Sequence, residues 1–136
     1  MSKAITMLRI SYWVGAVLDG LNVIPLVFPT LGGAMFGLTD FNPTPEFNYI
    51  SYLGASLMLG WTILLIWADR KPLERKGVLI ITVFPVVMGI AFSGIYLAVS
   101  GVVNLYSLIP TLIIQVFITV LFLFSYFFAR AKQRHH

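Results

Sequence analysis

Four long apolar runs alternate with short polar stretches along the chain, at about 10–28, 48–67, 78–99 and 108–128. Each is close to the roughly 20 residues that, at about 1.5 Å rise per residue, carry a helix across about 30 Å of hydrocarbon. The pattern predicts an all-α fold: an integral membrane four-helix bundle, up-down-up-down, filling 1–134 as a single four-span transmembrane domain. Pro29 closes the first run. In "NPTPEF", Thr44 is the expected N-cap of the second helix, with Pro45 at its first position and Glu46 facing the positive end of the helix dipole. Pro72, in the polar turn "DRKPLERKG", is expected to open the third helix. Ser107 is the expected N-cap of the fourth, which places Pro110 in its first turn, where proline is tolerated.

Two prolines fall inside predicted spans. Pro85 removes a backbone hydrogen bond to the Ile81 carbonyl, so the third helix is expected to kink near its middle. Pro25 is expected to bend the outer end of the first. The connector "TLGGAMFGLTDFNPTPEF" is long and apolar, and its Leu31, Met35, Phe36, Leu38 and Phe41 predict a short interfacial helix or lid over the bundle.

Within the first span the pattern is broken by Asp19. A carboxylate near the bilayer midplane costs about 2.5 to 3.5 kcal/mol on insertion scales. Helical spacing places it on one stripe with Tyr12, Gly15 and Asn22, and that stripe is expected to face the bundle interior. The other spans offer stripes of their own: Tyr52, Ser56 and Gly60; Pro85, Gly89 and Ser93, with Tyr96 beyond; and Thr111, Gln115 and Thr119. Ser56 to Gly60 is a small-xxx-small step that permits close helix approach. Aligned by depth, these stripes predict an outward-facing polar pocket with Asp19 at its floor, bounded by Asn22, Tyr52, Ser56, Ser93, Tyr96 and Gln115. Asp19 is expected to hold a hydrogen bond to Asn22, Gln115 or a tyrosine at rest, and to serve as counter-ion or proton site for a cationic ligand. Below that level the lining is aliphatic and aromatic, which argues against a conducting pore.

Composition sharpens the class. Hydrophobic residues make up 59% of the 136 and charged ones 10%, against roughly 25% charged in a soluble domain. With no cysteine, disulfides, thiol redox chemistry and thiolate metal ligation are all removed. The two histidines, His135 and His136, end a basic tail and read as the remnant of a purification tag. No catalytic residue, metal site or cofactor is assigned.

Charge orients the bundle. All nine basic residues (Lys3 and Arg9; Arg70, Lys71, Arg75 and Lys76; Arg130, Lys132 and Arg134) flank the runs on one side, while the opposite loops hold Asp40 and Glu46. The positive-inside rule then makes both termini cytoplasmic in a multi-pass protein of the inner (plasma) membrane. So one-sided a distribution argues against dual-topology insertion. The net charge of +4 follows from this topology and calls for no nucleic acid. Trp13, Trp67, Tyr49, Tyr106 and Tyr126, near the span ends, are expected interfacial anchors. The start "MSKAITMLR" is basic before an apolar run, as a signal peptide is, yet the run passes Asp19 without a small-residue cleavage site and reads as a retained span.

The segment "GASLMLGWTILLIWADRKPLERKGVLIIT", preceded by "MFGLTDFNPTPEF", resembles small, mostly uncharacterised prokaryotic four-span membrane proteins, loosely DoxX-like in layout. The resemblance implies a four-helix bundle and carries no catalytic residue.

Three functions fit these residues. The leading one is a non-enzymatic protein that binds or helps move a small amphipathic or lipid-like ligand, in contact with membrane lipids. The alternative is an accessory or assembly subunit of a homodimer or larger membrane complex, with Asp19 as a structural hydrogen-bonding residue. Third is a membrane-embedded lipid-modifying enzyme, for which a lone acid is a thin basis.

Overall fold

The computed structural model describes residues 2–135; Met1 and His136, the second residue of the expected tag remnant, lie outside the described residues. Among the described residues all regular structure is helical. The elements are α1 (Lys3–Val27), α2 (Pro29–Met35), α3 (Pro45–Asp69), α4 (Gly77–Val99) and α5 (Leu105–Arg134). Four of them, α1, α3, α4 and α5, are long and apolar enough to cross a membrane. The chain is a multi-pass membrane protein.

Local chemistry sets the helix ends. Ser2 caps α1, its hydroxyl accepting from the Ile5 N–H at 3.3 Å, and Thr44 caps α3 by accepting from the Phe47 N–H at 3.2 Å, as its sequence predicts. Helix α2 ends in a Schellman motif: the Leu38 N–H reaches the Gly33 carbonyl and the Gly37 N–H reaches that of Ala34. Gly37 supplies the left-handed φ of 74° that this cap needs. Two expected starts are corrected. Pro72 begins a turn, and α4 starts only at Gly77. Asn104, not Ser107, caps α5 by accepting from the Tyr106 N–H at 3.2 Å, which leaves Pro110 inside the helix, beyond its first turn. In α4 the segment Thr82–Val87 winds as a π-helix around Pro85; widening the turn accommodates a residue that has no N–H to give.

Helix α1 organises the packing, lying against both α3 and α5. Arg9 near its start meets Asp69 at the end of α3, whereas the Leu26 carbonyl near its end accepts from the Ser51 hydroxyl near the start of α3 at 2.6 Å. The two helices therefore run antiparallel. Likewise α4 and α5 meet through Lys76 with Gln133 at one end and Gly94 with Leu108 at the other. Leu8, Tyr12, Leu65, Leu79, Val83 and Phe122 are fully buried in one cluster toward the end that carries the basic residues. The closest approach is at Gly15, where an added Cβ would stand 2.6 Å from Phe122 Cζ and 3.0 Å from Leu65 Cδ1. By contrast, Met88–Val99 of α4 buries no residue. The bundle is packed toward its basic end and open at the side in its other half.

Candidate functional site

The basic end is closed by a set of polar contacts that tie the helices together. Arg9 Nε and Nη2 donate to the two carboxylate oxygens of Asp69 at 2.9 and 3.1 Å, a fork-on-fork pair. The Tyr12 hydroxyl donates to the Pro72 carbonyl at 3.0 Å. Ser11 and Ser125 share a buried hydrogen bond of 2.7 Å between α1 and α5. The Arg75 guanidinium lies 3.4 Å from the Trp67 ring centroid and donates to the Trp67 carbonyl. Lys76 donates to Gln133 at 2.7 Å. Read as a polar flank in the sequence, this end is a clamp that joins all four long helices.

Asp19 lies one turn beyond Gly15, away from that clamp. Because Gly15 faces Phe122 and Leu65 on helices antiparallel to α1, one further turn brings Asp19 level with Ile118 on α5 and Trp61 on α3. Gln115 follows Ile118 by less than a turn. Asp19 Oδ2 and Gln115 Oε1 are each buried without a hydrogen-bond partner. The nearby indole cannot serve them: Trp61 Nε1 donates to Thr82 Oγ1 at 2.9 Å, and the Thr82 hydroxyl in turn donates to the Val78 carbonyl at 2.7 Å. Two acceptors are thus held at neighbouring levels on adjacent helices, just above the packed core. Buried polar atoms ordinarily have partners; a third without one is Asn48 Oδ1, near the start of α3.

Of the seven residues expected to bound one pocket, Asp19 and Gln115 are the two with a buried side-chain oxygen that lacks a hydrogen-bond partner. Asn22, Tyr52, Ser56, Ser93 and Tyr96 are all exposed, Tyr52 at 51% and Tyr96 at 71%, and lie on the outside of α1, α3 and α4. On α3 the packed small residues are Ser51 and Ala55, one position before Tyr52 and Ser56, and one residue turns a helical face by about 100°. On α4 the inward line is Leu79, Thr82, Val83 and Val87, not Pro85, Gly89, Ser93 and Tyr96. The physical reason is that a hydroxyl on a membrane helix can satisfy itself. Ser93 donates to the Gly89 carbonyl at 2.9 Å and Thr119 to the Gln115 carbonyl at 2.8 Å, so neither needs to face inward.

Two further features frame the site. The connector does form a short helix, α2, whose Gly33 is covered by the Phe41 ring, while Gly37 lies beside Ser107 at the start of α5. Phe41 meets Phe47 edge to face at 5.1 Å between centroids. A shallow apolar groove of about 520 Å³ runs between α1 and α5, lined by Trp13, Val14, Val17, Leu18, Ile114 and Phe117. Neither Asp19 nor Gln115 lines it, and nothing in the residue pattern announced it. Among the described residues no three His, Cys, Asp or Glu side chains come together as a metal site.

No protein-family model, no curated protein and no solved structure matches the chain. Roles for its residues rest on its own chemistry.

Proposed function

We propose that this protein is a non-enzymatic membrane protein that binds, or helps move, a small amphipathic or lipid-like ligand at the level of Asp19. The observation that carries the reading is the pair of buried, unpartnered acceptors, Asp19 Oδ2 and Gln115 Oε1, placed where the packed core gives way to the open half. Leaving such atoms unsatisfied costs about 1 to 3 kcal/mol each, and a ligand that supplies donors recovers it. Gly37, just after α2, lies beside Ser107 of α5, and Met88–Val99 of α4 buries no residue; both support entry from the lipid side rather than from water. Catalysis by general acid and base calls for a second titratable group beside the first, and Asp19 has none assigned. The test is native mass spectrometry of the protein released from membranes of its expression host. The expected result is an adduct lighter than a phospholipid that disappears in Asp19→Leu; bare protein, or an adduct indifferent to that substitution, rejects the reading.

We place the protein in the inner (plasma) membrane, up-down-up-down, with both termini and the clamp cytoplasmic. The nine-to-none division of basic residues supports this. A cysteine at Thr39 is expected to react with a membrane-impermeant maleimide on intact cells, and one at Leu73 only after lysis. The reverse order contradicts the orientation.

A second reading, a subunit of a homodimer or larger complex, draws on Gly60. It is exposed together with Ser56, and nothing lies within 4 Å of the Cβ it lacks. Crosslinking through a cysteine at Gly60 in native membranes distinguishes a dimer face from a lipid face.

A further inference from the structure

Two shallow depressions lie on one strip of α5. The groove of about 520 Å³ between α1 and α5 takes Ile114 and Phe117 from this helix, and a second, of about 390 Å³ at the basic end, is lined by Phe128, Ala131, Lys132 and His135. Steps of three and four residues join them through Leu121 and Phe124, so Ile114 to Lys132 forms a single helical face. The face is apolar along its length and ends in one charge. Phe117 and Phe124 are each 56% exposed, Phe124 stacks on Phe128 at 5.9 Å between centroids, and Lys132 Nζ stands 5.6 Å from the Phe128 centroid. No carboxylate answers that ammonium. The two acidic side chains of the basic end are taken, Asp69 by Arg9 and Glu74 by Lys71, and neither of these ion pairs among the described residues includes Lys132.

We infer that this face holds one anionic phospholipid of the leaflet at the basic end, its phosphate on Lys132 and an acyl chain lying along Phe128, Phe124 and the groove between α1 and α5. The inference is independent of the reading at Asp19, since neither Asp19 nor Gln115 lines the groove and the guest expected there is lighter than a phospholipid. The length fits. Lys132 follows Phe117 by fifteen residues, about 22 Å of helix, and half a bilayer counted out to its headgroups is about 20 to 22 Å. The charge fits as well. Lysine binds phosphate as a point charge with three N–H donors, and an anionic headgroup, unlike a zwitterionic one, brings no ammonium of its own to oppose it. A second copy of the chain inserted in the same direction has no acidic side chain free at that level, because Asp69 and Glu74 are already engaged.

The test is quenching of Trp13, which lines the groove, by phospholipids brominated on their acyl chains, with the full chain in vesicles of unbrominated phosphatidylcholine. Each protein is paired with its Trp13→Phe form, and the difference isolates this indole from Trp61 and Trp67. Brominated phosphatidylglycerol is expected to reach half-maximal quenching at about a fivefold lower mole fraction than brominated phosphatidylcholine, the factor one basic residue contributes beside an anionic headgroup. Lys132→Gln is expected to remove that preference and Lys132→Arg to keep it. Arg134→Gln, which deletes the same charge two residues on and about 200° round the helix, is expected to leave it intact. Equal quenching by the two lipids without any change at Lys132 overturns the inference, and that comparison stands whether or not the Lys132 variants fold. A preference that survives Lys132→Gln, or that Arg134→Gln removes equally, shows diffuse attraction to the whole basic end and overturns it too. If neither lipid quenches Trp13, a protein surface covers the groove and the inference falls.

Discussion

Substituting valine for Gly15 is expected to loosen the packed half of the bundle, with a destabilisation on the order of 3 kcal/mol, at the upper end of the cost of overpacking a core. A single added carbon already stands 2.6 Å from Phe122 Cζ and 3.0 Å from Leu65 Cδ1, and both of those side chains are fully buried. Both contacts are with side-chain tips in the packed core, so making room displaces their buried neighbours in turn. Gly15→Ala is expected to show a smaller loss of the same sign, partly restored by Phe122→Leu, which withdraws the ring; contacting residues couple in this way. Gly60→Ala, with open space where its methyl goes, is expected to be neutral or slightly stabilising, because alanine is the better helix former by about 1 kcal/mol. Unfolding midpoints in a common detergent, with refolding checked, measure the series. Equal losses at Gly15 and Gly60 contradict the packing described here.

Tyr12 is expected to give the other large effect. Its ring is fully buried in the core cluster, and its hydroxyl donates to the Pro72 carbonyl in the turn between α3 and α4. Tyr12→Ala removes ring and bond together and is expected to cost on the order of 3 kcal/mol, as truncations of buried aromatics do. Tyr12→Phe keeps the packing and is expected to lose about 1 kcal/mol for the hydrogen bond. The difference between the two separates filling from fastening. If phenylalanine proves as damaging as alanine, the hydroxyl rather than the ring holds the turn.

The long helices and several of their ends were legible in the sequence because they depend on composition and local chemistry. Thr44 before Pro45 and Glu46 caps α3 as its pattern says. Helix lengths were underread: α1 begins at Lys3 and α5 runs to Arg134, since Lys, Ala, Gln and Arg continue a helix well outside an apolar run. The inward faces were harder. Polar and small residues are a poor guide to them: Ser93 bonds its own helix and is exposed, while the buried line on α4 is made by Leu79, Val83 and Val87. Apolar residues on both faces leave the pattern little power to choose between them. The Arg9–Asp69 pair was unreadable for a different reason: its members are 60 positions apart, and both look like ordinary flanking charges. Of the candidate site, Asp19 was announced by its cost in lipid; the level at which Gln115 joins it depends on how Gly15 seats against Phe122, a tertiary fact.

The uncovered half of α4, where Met88–Val99 buries no side chain, changes how occupancy scales. A guest that arrives from the side is drawn from the bilayer, so its mole fraction among the lipids, rather than its molarity in buffer, sets how full the protein is. Adding empty vesicles at a fixed total amount of guest lowers occupancy, while diluting the sample with buffer scarcely changes it for a strongly partitioning compound. Between homologous guests that fit equally well, each additional methylene raises apparent potency per litre of water by about fourfold, through the roughly 0.8 kcal/mol it adds to partitioning, with no new contact to the protein.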